Sequence, residues 1–61
     1  MDWITFLQVM IEDEKAAINK YQLAVEEADS KELKTTLQRL MAEEEVHIDL
    51  LEYEISRLKA S

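Results

Sequence analysis

The amino-acid sequence predicts an all-α protein, two long helices folded back on each other as an antiparallel hairpin. Three observations carry the prediction. The 61 residues include no glycine and no proline, so the chain lacks the residues that most often end helices and build turns. Apolar side chains recur at alternating spacings of four and three along two separate segments, the period of one helix face. Between the segments, Asp29-Ser30 places two short polar residues of the kind that favour caps and turns.

The first segment predicts a helix over about residues 3–28. Its 4-3 spacing picks out Ile4, Leu7, Ile11, Glu14, Ile18, Tyr21, Val25 and Ala28, with Trp3, Met10, Ala17 and Ala24 widening the stripe on one side. Asp29-x-x-Glu32 then reads as a capping box, which opens a second helix over about residues 31–59. There the same spacing gives Leu33, Leu37, Leu40, Glu44, His47, Leu51, Glu54 and Leu58, widened by Met41, Ile48 and Ile55. Met10 and Met41 are expected to fill core space, and Trp3 and Phe6 to pack at a bundle end or in a higher assembly.

A connection this short makes the helices antiparallel neighbours. Two packed helices leave half of each stripe uncovered, and a core of this size is marginal on its own. The expected remedy is a homodimer of hairpins, which closes a four-helix bundle and covers both stripes. The chain is accordingly read as a single domain, residues 1–61, forming half of a bundle.

Composition narrows the function. Seven cationic against fourteen anionic side chains leave a net charge of −7, which argues against nucleic acid and favours cations as small partners. Without cysteine there is no disulfide framework, zinc finger or iron–sulfur cluster, and without glycine no phosphate-cradling loop. No segment has the length and apolarity of a membrane span or signal peptide, so a cytoplasmic chain away from membranes is expected.

Three ionisable residues interrupt the apolar stripes at one level. Counted from the turn, Glu14, Glu44 and His47 all lie about 22–26 Å along the hairpin at 1.5 Å per residue. Glu44-x-x-His47 is an i, i+3 pair whose side chains leave one helix face a turn apart, a spacing that lets both bind one ion. Carboxylates taken out of water without partners cost several kcal/mol each, about the scale of a small domain's whole stability, so such a cluster needs compensation. Two copies would present four carboxylates and two imidazoles, whose charge two divalent metals balance. Iron or manganese suits this mixed ligand set, and zinc would also bind.

Glu14-x-x-Ala17-x-x-x-Tyr21 on one helix and Ala42-Glu43-Glu44-Glu45-Val46-His47 on the next resemble the ferritin-like, rubrerythrin-type di-iron carboxylate family. That family carries one Glu on its first helix and Glu-x-x-His on its second, repeated in the other half of its bundle. The likeness spans about residues 4–58 and is nearest to the encapsulated ferritins, two-helix chains whose metal site assembles between subunits. It implies Glu14, Glu44 and His47 as iron ligands and catalytic residues of a di-iron centre oxidising Fe²⁺ with O₂. It also implies that the Tyr21 hydroxyl hydrogen-bonds a ligating carboxylate, an alternative to a plain core tyrosine. An encapsulin-type shell, and so a protein nanocompartment, belongs to the same set of implications, although Lys59-Ala60-Ser61 offers no obvious docking tail.

Two rival readings stand beside the ferroxidase: a non-catalytic metal-binding helical dimerisation module, and a helical dimerisation domain without metal. Glu54, one heptad after His47, is expected to be a flanking surface residue. Glu12, Asp13, Glu43, Glu45, Asp49 and Glu52 are expected to form a solvated exterior whose field draws cations toward the bundle.

Overall fold

The computed structural model describes all 61 residues as two helices, α1 over Trp3–Glu27 and α2 over Lys31–Ala60, with no strand. Thirty residues at about 1.5 Å each make α2 about 45 Å long, which matches the 47 Å longest dimension of the molecule. The other two extents are only 14 and 13 Å, so the helices lie side by side along that length as a hairpin.

Each helix end has a local chemical cause. Asp2 caps α1: its carboxylate accepts from the Thr5 backbone N–H at 3.1 Å and from the Thr5 hydroxyl at 2.8 Å. These bonds, the Thr5 hydroxyl first, hold the Asp2 carboxyl below the usual aspartate range. Ala28 leaves the helical region at φ −61°, ψ 132°, which stops α1 one residue before the predicted end. The cap of α2 corrects the predicted capping box. Ser30, not Asp29, is the N-cap, its Oγ accepting from the Leu33 N–H at 3.1 Å. Glu32 in the first turn of α2, and Arg57 and Lys59 in the last, complement the helix dipole.

The seam between the helices follows a heptad. In α1 its a positions are Ile4, Ile11, Ile18 and Val25, and its d positions Leu7, Glu14, Tyr21 and Ala28, all buried or half-buried as the spacing predicts. In α2 the register is displaced from the expected one. Met41, Ile48 and Ile55 occupy a, with Leu37, Glu44, Leu51 and Leu58 at d, while Leu33, Leu40 and His47 sit outside the seam and are exposed. The physical reason is that one partner helix covers a stripe only about two positions wide, and α2 carries three adjacent apolar columns.

Only Ile11, Val25 and Ile55 are buried in the hairpin, and none of them completely. Large apolar groups remain in contact with solvent, among them Trp3 at 56% and Leu50 at 60% exposure. Trp3 and Phe6 pair edge to face at 5.8 Å at the open end, away from the connection.

The two long sides of the hairpin differ. In antiparallel helices the e positions flank one side of the seam and the g positions the other. The e side is polar, with Gln8, Lys15 and Gln22 on α1 and Gln38, Glu45 and Glu52 on α2, all exposed. The g side carries Trp3, Met10, Ala17 and Ala24 from α1 and Leu33, Leu40, His47 and Glu54 from α2. Neither helix is long and apolar enough to cross a membrane.

Candidate metal centre

Glu14 enters the site from the middle of α1, and Glu44 and His47 from the middle of α2. The His47 Nδ1 lies 3.7 Å from Glu14 Oε1 across the seam and 4.0 Å from Glu44 Oε2 one turn back along its own helix. One potential ligand atom from each residue falls within 4.8 Å of the others. The level counted from the sequence therefore coincides with the observed one.

These separations are too long for hydrogen bonds between the groups. They suit a shared cation better. Two donors, each about 2.1 Å from one ion, stand at most about 4.2 Å apart; both imidazole–carboxylate distances meet that limit, while the bound on the whole three-atom set, 4.8 Å, is somewhat wider. Two carboxylate oxygens and a ring nitrogen form a donor set that divalent iron, manganese and zinc all accept.

Burial is graded across the site. The side chains of Glu14 and Glu44, at seam positions, are 19% and 20% exposed, whereas that of His47, at a g position, is 52% exposed. The open side of the cluster is thus the apolar g side of the hairpin. A shallow depression continues from it along that side, lined by Met10, Glu14, His47, Leu50, Leu51 and Glu54.

Tyr21 occupies a half-buried seam position two turns beyond Glu14. Its hydroxyl makes no hydrogen bond to Glu14 or Glu44 within the hairpin. Glu54, expected at the surface, is half-buried. Its Oε2 accepts from Arg57 Nε at 2.9 Å and Nη2 at 2.6 Å, and it lines both the depression beside His47 and the next one, under Trp3. That bond holds the Arg57 guanidinium above its ordinary range. The i, i+3 spacing of Glu54 and Arg57 is the signal that the sequence offers for this pair.

The remaining acidic residues named from the sequence, Glu12, Asp13, Glu43, Glu45, Asp49 and Glu52, are exposed. Lys15 lies 3.6 Å from Glu12 and Arg39 lies 3.4 Å from Glu43, ion pairs on the solvated exterior that contribute little stability.

Fold and site together define the class: an all-helical hairpin with a carboxylate–imidazole cluster at mid-length. The chain matches no protein-family model, no curated protein and no solved structure.

Proposed function

We propose that two copies of this chain pair through their apolar sides and bind iron at Glu14, Glu44 and His47, where Fe²⁺ is oxidised by O₂. The observation that supports this most is the coincidence of three potential ligand atoms within 4.8 Å, in the middle of a stripe otherwise made for packing. A hairpin with only three buried residues would gain from a second copy, and the second copy would double the ligand set.

Each ligand has a distinct part. Glu14 and Glu44 carry the negative charge that draws Fe²⁺ from solution and favours the more highly charged Fe³⁺. His47 supplies a neutral nitrogen donor, so the two ions in a dimer meet four carboxylates without excess charge. When bound, iron would supply the one-electron couple: two Fe²⁺, one per chain, would give two electrons to O₂, which with two protons from solvent would leave as hydrogen peroxide. In the proposed pair, apolar neighbours such as Met10, Leu50 and Leu51 would limit competing water around the ligands.

A second reading is a non-catalytic metal-binding helical dimerisation module, favoured by a donor set that holds Mn²⁺ or Zn²⁺ as readily. Aerobic addition of Fe²⁺ separates the two. The ferroxidase consumes O₂ and develops ferric absorbance, and Glu44→Ala abolishes both. The module takes up metal with no O₂ consumption above that of Fe²⁺ in buffer.

A further inference from the structure

We infer that the iron-free chain holds a cuprous ion on the apolar side of the hairpin, between the thioether of Met10 on α1 and the Nε2 of His47 on α2. This site needs neither iron nor a second copy.

The fold brings the two side chains to one place. Both stand at g positions, and both line the depression that runs along the g side from the carboxylate–imidazole cluster. Counted from the connection, their levels differ by about 3 Å at 1.5 Å per residue. Met10 lies one turn from Glu14 on the same face of α1, as His47 lies one turn from Glu44 on α2. Beyond the two carboxylates, α2 thus adds a nitrogen donor and α1 a sulfur.

The carboxylates prepare the imidazole. Its Nδ1 faces one oxygen of Glu14 at 3.7 Å and one of Glu44 at 4.0 Å. Their negative field favours the ring proton on Nδ1, which leaves the lone pair on Nε2. A carboxylate behind one ring nitrogen is the usual setting of an imidazole that binds metal through the other, because it fixes the tautomer and strengthens the donor. The ring is half-exposed, and the unbranched, flexible Met10 side chain, half-buried in the same depression, gives its sulfur the freedom to reach it.

The donors select the ion. Thioether sulfur is soft and uncharged; paired with imidazole it suits Cu(I), whereas Mn²⁺ favours oxygen ligands. Leu50 and Leu51 form the apolar wall of the depression, which disfavours a strongly hydrated divalent ion. Glu54, the acidic group farther along it, is held by Arg57 at 2.9 and 2.6 Å. The chain has no cysteine, and its other methionines, Met1 and Met41, do not line this depression. Copper–sulfur contact here therefore means Met10.

The test is anaerobic transfer of Cu(I) from its coloured bicinchoninate complex to the native chain, with X-ray absorption at the copper edge to read the ligands. One Cu(I) per chain is expected, with sulfur among its neighbours. Met10→Leu, which nearly conserves volume, is expected to weaken Cu(I) binding about tenfold or more and to remove the sulfur signal, since it deletes one of two ligands. His47→Ala is expected to weaken binding as much, and Met41→Leu to leave affinity and signal unchanged. In the unsubstituted chain, Cu(I) is expected to shift the methyl resonance of Met10 more than those of Met1 and Met41. No uptake by the native chain, native affinity and sulfur signal in Met10→Leu, or a larger shift at Met1 or Met41 overturns the site.

Discussion

The His47 Nδ1 stands 3.7 Å from a carboxylate on the opposite helix, Glu14, and 4.0 Å from one on its own helix, Glu44. Two helices that meet only through side chains therefore bring three donor groups around one point. For the two half-buried carboxylates in the seam, this placement is expected to cost stability unless a cation shares their charge. The proposed metal binding and pairing would both act on fold stability through that point.

The coupling predicts opposite effects of one substitution on the metal-free and metal-loaded protein. Glu14→Leu fills the seam with an apolar side chain, and is expected to raise the unfolding free energy of the metal-free protein by about 1 kcal/mol or more. The same variant loses the gain in stability that metal gives the native chain. Urea unfolding with chelator and with Mn²⁺ measures both.

Metal should stabilise the native protein by mass action. At free metal one hundred times the dissociation constant the gain is about 2.7 kcal/mol, and His47→Ala should remove most of it. Thermal unfolding against Mn²⁺ concentration, monitored by circular dichroism, reads this directly.

The boundaries of both helices, and the shared level of Glu14, Glu44 and His47, were legible in the sequence. Helix period and rise per residue are local properties that need no knowledge of the partner helix. Two features were not legible. Asp29 and Ser30 are adjacent, and both can cap a helix, so choosing between them depends on the backbone path out of Ala28. The edge of the α2 stripe facing α1 was equally open. Leu33, Leu40 and His47 form one column, Met41, Ile48 and Ile55 another, and only the approach of α1 decides which is covered. That displacement leaves His47 at the rim of the seam, where it can serve a site between hairpins.

The cap assignment has its own test. Ser30→Ala removes the acceptor of the Leu33 N–H and is expected to cost about 1 kcal/mol. Asp29→Ala, outside the helix, is expected to change stability by less than half a kcal/mol. Equal losses for the two variants would contradict Ser30 as the cap. Chemical denaturation of both variants decides it.

At the other end, Asp2 introduces a pH dependence with a defined sign. Its folded carboxyl is held below its unfolded range by the Thr5 hydroxyl and backbone N–H, so its contribution is present above the unfolded value. It is lost as pH falls through the lowered folded value. Amide hydrogen exchange at Thr5 should quicken over that acidic window relative to the pH trend of the rest of α1. Asp2→Asn, which keeps an acceptor but cannot titrate there, should remove the extra dependence.

The central claim is that a pair of hairpins holds iron at mid-length. Its most direct test is the iron content and molar mass of one sample, loaded anaerobically with Fe²⁺ and freed of excess metal. The expected result is a particle of twice the chain mass carrying one iron per chain, reduced to none by Glu44→Ala. A species of single-chain mass, or a dimer that retains no iron, would contradict it.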